Sequence, residues 1–190
     1  GKTVLARRPI RIVMPDVSLS APSDAIAGST IQVAWTGPNN AGDYVTVVSV
    51  EIPDGQYGNY TVTSGGSPLK VVIPIMAGDA ELRYMTGQGN RVLGRRPIKV
   101  VAAQVTLSAP PECAAGTPVS ITWTGPNNPG DYITVVAQAT PDGQYGAYTA
   151  TANGSPLSVT APKEAGDGEV RYMTGQGNKV LARIPIKVVP

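Results

Sequence analysis

From Thr30 to Thr36 the chain reads T-I-Q-V-A-W-T, with Ile31, Val33 and Trp35 on one side and Gln32 and Ala34 on the other. Alternation with a period of two is the mark of a strand that buries one face, so Trp35 is read first as a core residue. Similar β-branched runs recur along the chain, separated by clusters of Gly, Pro, Asn and Asp at the roughly 8–12 residue spacing of an all-β sandwich. Seven strands are predicted in the first half: Val17 to Ala21, Thr30 to Thr36, Tyr44 to Val50, Tyr57 to Thr63, Pro68 to Ile73, Ala80 to Thr86 and Arg91 to Val101. No stretch carries a helical period. In Tyr44 to Val50 the buried side is ambiguous, because Tyr44, Thr46 and Val48 face one way and Val45, Val47 and Ser49 the other.

The turns are equally legible. W-T-G-P-N-N-A-G-D-Y (Trp35 to Tyr44) reverses the chain through Pro38, which fixes φ, and through Asn and Gly residues that accept positive φ. R-Y-M-T and R-V-L flank Gly87-Gln88-Gly89-Asn90, a hairpin in which Thr86 opposite Arg91 would set Tyr84 against Leu93 and Glu81 against Arg96. Ile98 and Val100 then have the wrong parity to be buried together with Leu93. A bulge or kink near Arg95 to Pro97 is expected to reconcile them.

Every one of these elements returns 88 positions later without a gap. Trp35 to Tyr44 matches W-T-G-P-N-N-P-G-D-Y at Trp123 to Tyr132, and R-Y-M-T-G-Q-G-N at Arg83 matches the same string at Arg171. Residues 15–102 and 103–190 share about 54 identities in 88, so the chain is read as two copies of one unit. Residues 1–14 overlay the end of a copy, G-K-T-V-L-A-R-R-P-I-R-I-V on G-N-R-V-L-G-R-R-P-I-K-V-V, and are read as the last strand of a preceding repeat. Such an orphan, with Val4, Leu5, Ile10, Ile12 and Val13, is expected to pair with the sheet of the first copy or of a neighbouring chain, with swapping a risk. Only about three residues separate Val101 from the strand at Val105, too few for a free linker, which predicts units stacked end to end with Ala102 to Gln104 setting their orientation.

Composition narrows the function. With 42% hydrophobic and 15% charged residues and no long apolar run, the chain is globular and carries no transmembrane segment. Residues 15–102 hold six basic and seven acidic side chains and residues 103–190 five and six. The formal +2 therefore comes from Lys2, Arg7, Arg8 and Arg11. That distribution offers no clustered basic face for nucleic acid. Cys113 is the single cysteine and Ala25 stands in its place in the first copy, which favours a small apolar packing residue over a ligand or nucleophile. The chain has no histidine, which removes Ser-His-Asp and Cys-His nucleophiles, and the Ser67/Lys70 pair becomes Ser155/Ser158 in the second copy. A non-catalytic role is expected.

Two constellations are candidates for binding. Asn39, Asn40, Asp43 and Asp54, with Asn127, Asn128, Asp131 and Asp142 in the second copy, would offer the oxygen ligands calcium prefers if they converged. The competing role is turn capping, and no cofactor is otherwise implied. Tyr57 and Tyr60, repeated as Tyr145 and Tyr148, sit among Gly and Thr, where amphipathic rings suit a sugar or protein surface or pack on a sheet edge. Asp16 to Ser20 spells D-x-S-x-S, a metal-binding string of von Willebrand factor type A domains. The second copy reads Q-V-T-L-S, and the parallel α/β context is missing.

I-T-W-T-G-P-N-N-P-G-D-Y-I, Y-x-x-Y-x-x-x-x-G-S-P-L, P-x-x-x-G-D-x-E-x-R-Y and V-L-x-R-x-P-I-x-V together resemble the repeats towards the C-terminus of bacterial proteins that contain a von Willebrand factor type A domain. The resemblance covers essentially all of each unit. It implies tandem immunoglobulin-like β-sandwiches acting as a spacer or protein-interaction module of a larger secreted, periplasmic or envelope protein. Carbohydrate or surface binding through the loop tyrosines is the alternative. The resemblance transfers no catalytic residue. The Asp and late Tyr of A-G-D-A-E-L-R-Y likewise suit an immunoglobulin-like sandwich in which a tyrosine ties the penultimate strand to the preceding loop.

Overall fold

The computed structural model describes residues 5–190. In the first copy the strands are β1 (Ser18–Ser20), β2 (Asp24–Ile26), β3 (Thr30–Thr36), β4 (Tyr44–Ser49), β5 (Tyr60–Val62), β6 (Leu69–Val72), β7 (Gly78–Met85) and β8 (Val92–Val101). The second copy repeats them as β9 (Thr106–Ser108), β10 (Glu112–Ala114), β11 (Pro118–Thr124), β12 (Tyr132–Ala137), β13 (Tyr148–Ala150), β14 (Leu157–Thr160), β15 (Gly166–Met173) and β16 (Val180–Val189). Each copy packs a three-stranded sheet, order β1-β3-β6, on a five-stranded sheet, order β2-β8-β7-β4-β5. The opening strand splits between the two sheets, β1 antiparallel to β3 and β2 parallel to β8. Both copies are immunoglobulin-like β-sandwiches.

The predicted strands are all present, and one was not foreseen. β2 holds only Asp24, Ala25 and Ile26, too short to display a period, and its pairing with β8 follows the interruption at Pro22. Its central Ala25 points inward and is buried. The equivalent Cys113 packs against the second core, and burial raises its thiol pKa.

The ambiguity of β4 is resolved because both of its faces are covered. Val45 and Val47 enter the core, while Thr46 on the other face is sealed under the β4–β5 loop, donating to Asn59 O at 2.8 Å and accepting from Gly58 N at 3.2 Å. The hairpin register also differs from expectation. Thr86 N does bond Arg91 O, yet the irregularity falls at Tyr84/Met85, which pair with Gly94 and Val92 and leave Leu93 as the extra residue. The parity problem of Ile98 and Val100 is thus solved at Leu93, ahead of the predicted Arg95 to Pro97, and Glu81 sits opposite Pro97 instead of Arg96. Pro97 needs no bulge because the ladder accommodates it directly. Arg96 now has inward parity and reaches the Ala21 carbonyl, whereas the second copy fills the position with Ile184 against the core.

Residues 5–14 lie outside both sheets, with Leu5, Ile10, Ile12 and Val13 exposed; Val4 lies outside the described residues. Among the described residues the expected pairing with the first copy is therefore not formed. The strand that residues 1–13 overlay, β8, is an interior strand bonded on both sides, and the first sandwich already holds its own β8 there.

Trp35 plugs the core as predicted. Its ring lies 5.5 Å from that of Tyr84, its Nε1 donates to Gly66 O at 2.8 Å, and its backbone N–H donates to Ser67 Oγ at 2.9 Å. The G-S-P-L motif is thus the cradle of the tryptophan. Trp35→Ala removes this plug and should destabilise the first copy by about 3–5 kcal/mol. Urea unfolding followed by circular dichroism, with Trp123 fluorescence reporting the second copy separately, checks the loss and its confinement.

Candidate functional site

The two turns that the sequence singles out meet at one end of each sandwich, around a carboxylate. Asp43 is 2% exposed. Its Oδ2 accepts from Asn40 N–H and from the Tyr84 hydroxyl, both at 3.0 Å, and its Oδ1 accepts from Gly87 N–H at 3.0 Å. Tyr84 in turn accepts from Asn39 N–H, and the Asp43 carbonyl accepts from Thr63 N–H and Oγ1. Asp131 makes the same bonds with Asn128, Tyr172, Gly175 and Thr151. The tyrosine tie exists, but it reaches the β3–β4 turn and not the loop before its own strand. The turns approach so closely that a Cβ on Gly87 would lie 2.5 Å from Gly42 C, which explains glycine there.

This geometry describes the calcium candidates directly. Asn39 and Asn40 contribute backbone N–H groups, with Asn39 at φ 52°, and Asp43 directs both oxygens at donors. Asp54 is engaged elsewhere, by Arg95 Nη2 at 2.5 and 2.6 Å, and this hydrogen bond holds its carboxyl below the usual range. Asn127, Asn128, Asp131 and Asp142 repeat the arrangement, with Arg183 on Asp142. The carboxylates of the set are thus engaged by turn N–H groups and by an arginine. Among the described residues no three His, Cys, Asp or Glu side chains gather where a metal could sit.

The tyrosines do converge. Tyr57 and Tyr60, 49% and 55% exposed, pack perpendicular to each other at 5.5 Å and against buried Tyr44 at 5.3 and 5.1 Å. Tyr145, Tyr148 and Tyr132 form the same triad. Beside Tyr57 runs a groove of about 620 Å³ walled by Val48, Val50, Ile52, Pro74 and Met76. In the second copy Gln138, Thr140 and Glu164 replace Val50, Ile52 and Met76, and the corresponding surface holds two hollows of about 360 and 280 Å³. Only the ring cluster is common to both.

What holds the tyrosine loop in place was missed from sequence. Arg83, 1% exposed, donates through Nε to Glu81 at 2.6 Å and through Nη1 to Pro53 O and Gln56 O, with Nη2 on Ile52 O. Arg95 bridges Glu81 and Asp54. Arg171, Glu169, Arg183 and Asp142 reproduce the chain of charges. The available signal was the invariance of E-x-R between the copies, which alternation alone assigns to an outer face.

The copies also touch. Gln176, at the tip of the β15–β16 turn, donates to Gly28 O at 3.1 Å and Ile73 O at 3.4 Å and accepts from Asn59 Nδ2 at 3.0 Å. Lys179 Nζ lies 3.6 Å from Met76 Sδ. Side chains of the second copy are therefore docked on the first sandwich.

No family model matches the chain, nor does any curated protein. Solved structures do. The Yersinia pseudotuberculosis adhesin InvE is 18% identical over 92% of this chain, with a TM-score of 0.30. Three N-terminal domains of the bacteriophage RB49 highly immunogenic outer capsid protein are 11% identical over 92%, with a TM-score of 0.37. A chimeric titin Z1Z2 tandem is 13% identical over 92% of this chain and 98% of its own, with a TM-score of 0.30. The chain spans 59% of the length of the first two.

Asp43→Ala leaves three donors without their acceptor and should cost roughly 3 kcal/mol in the first copy. Urea unfolding of the variant beside Asp131→Ala, which should lose as much in the second copy, tests it. Alkali should act on the same region. Burial raises the hydroxyls of Tyr44, Tyr84 and Tyr172 above the ordinary 10.0 and pushes Tyr132 up to about 12. The unfolded chain releases these protons first, so stability is complete below pH 10 and falls as pH rises from 10 towards 12. Urea midpoints taken between pH 9 and 12 should decline across that window.

Proposed function

We propose that the chain is a non-catalytic tandem spacer or protein-interaction module of a larger bacterial secreted, periplasmic or envelope protein, of the kind that accompanies von Willebrand factor type A domains. The observation that carries this reading is the use made of the buried polar groups common to both copies. Asp43, Thr46, Thr63 and Arg83 are all spent on holding their own loops, and the exposed remainder at the junction docks one copy on the next. No helix among the described residues is long and apolar enough to cross a membrane. Residues 1–14 repeat the pattern of β8, and the sheet of a neighbouring chain is the partner that would take them. The partners of the module are other domains of the parent protein or other proteins.

A second reading, binding of a carbohydrate or surface by Tyr57, Tyr60, Tyr145 and Tyr148, is favoured by the half-exposed ring pair in each copy. Rings of this kind offer a large amphipathic contact at small entropic cost. Small-angle scattering and a glycan array separate the two. For a spacer, the radius of gyration should clearly exceed the roughly 16 Å of a compact 190-residue globule, and no glycan should bind at high protein concentration. Strong glycan binding abolished by Tyr57→Ala together with Tyr145→Ala would establish the second reading in place of the first.

A further inference from the structure

The contact between the two copies has a donor side and an acceptor side, and each copy carries both. The donor is the tip of the β7–β8 or β15–β16 turn; the acceptor is the β2–β3 turn with the strand end at Ile73 or Ala161. One donor, on the second copy, meets one acceptor, on the first. Among the described residues the other pair, Gln88 on the first copy and the Gly116 and Ala161 carbonyls on the second, makes no such contact and stands open.

Exposure records the difference. Gly28 is buried, and a Cβ placed on it would lie 3.0 Å from Asn128 Nδ2 and 3.8 Å from Gln176 Nε2. Gly116 is exposed, with nothing within 4 Å. On the donor side Thr174 is buried and Gln176 half-buried, while Thr86 is half-buried and Gln88 exposed. The open faces nonetheless keep the docked shape. Gly116 retains a positive φ of 69° and its bond to Pro162 O, as Gly28 at 79° does to Pro74 O. Ala161 N–H bonds Thr117 O as Ile73 N–H bonds Ser29 O. The Gln88 tip is braced by Thr86 Oγ1 on Gln88 O at 2.7 Å, as Gln176 is by Thr174 at 2.6 Å.

We propose that these open faces are one head-to-tail docking surface whose occupant is a second copy of this chain, Gln88 of one molecule entering the Gly116–Ala161 acceptor of the next. The inference rests on the spacer reading above. Because the two faces are different surfaces, the contact is heterologous and passes from chain to chain, leaving a free face at each end of an open assembly. Two Gln88 hydrogen bonds carry over, since Gly116 O and Ala161 O are backbone groups. The bond made by Asn59 is lost at Ala147. Where Lys179 meets Met76 inside the chain, Arg91 meets Glu164 across the new contact, so opposite charges replace a neutral contact. Lacking the three-residue tether that raises the effective concentration of the internal contact, association between chains is reversible and concentration-dependent.

The test uses the full chain with Cys113→Ala, since alanine already fills that position in the first copy as Ala25. Met76→Cys with Lys179→Cys, treated with a short bis-maleimide, should link within one molecule and so verify the internal contact. Arg91→Cys with Glu164→Cys, the equivalent pair across the new contact, should give a ladder of dimers and higher multimers at high protein concentration. Gln88→Ala in that background should reduce the ladder several-fold. Arg91→Cys with Lys70→Cys, which pairs the donor with a strand face, sets the level of random collision. An external ladder no stronger than this control, with the internal pair linking normally, overturns the proposal and leaves the spacer reading standing. Failure of the internal pair to link overturns both.

Discussion

The carboxylate of Asp43, and its twin Asp131, is the constraint on which the end of each sandwich depends. A carboxyl group at 2% exposure is tolerated only when its oxygens are hydrogen-bonded, and here an N–H from each of two turns and a tyrosine hydroxyl fill them. Those bonds tie the β3–β4 turn to the β7–β8 turn, two loops far apart in sequence. Tyr84 completes the link by placing its ring on Trp35 and its hydroxyl between Asp43 and Asn39. The core plug and the polar hub are thus one assembly with an apolar end and a wet end.

From this follows the position of everything that faces outward. Gln176 and Asn128 stand on the hub's solvent side because the turns beneath them are fixed by Asp131, through Gly175 N–H and Asn128 N–H. On the other flank of the five-stranded sheet, buried Arg83 does the corresponding job for the β4–β5 loop by capping three of its carbonyls. A guanidinium suits that task because its planar fork presents several donors at fixed angles, and Glu81 offsets its charge. The tyrosine triad rides on the loop so held.

The sequence made the core and the strand order's raw material readable because burial on one face imposes a period. β3 coincides with its predicted bounds, and Trp35 is where alternation places it. Features without a period were hidden. Three-residue β2 has none. The bulge at Leu93 was demanded by parity but expected at Arg95 to Pro97, since parity counts residues without saying where the extra one sits. Arg83 alternates as an outer residue and is buried only because a loop folds over it. Residues 5–14 carry the pattern of the interior strand β8 yet lie outside the first sandwich, where β8 itself already fills that place. Asp43 was correctly singled out as chemistry, while the identity of its partners, backbone N–H groups instead of a cation, depended on how two distant turns meet.

The differences between the copies show what such a unit can change freely. Ile73, Asn59, Ile75 and Met76 become Ala161, Ala147, Lys163 and Glu164, so most side chains on the acceptor face are replaced. The groups that Gln176 contacts through Nε2 are main-chain carbonyls held by a positive-φ glycine and by the strand end. Every copy that folds presents them, whatever its side chains. Side chains around them are then free to tune the junction, apolar at Met76 and acidic at Glu164. A contact that reads backbone at its centre and side chains at its rim lets the docking geometry persist while the preference for a particular neighbour drifts.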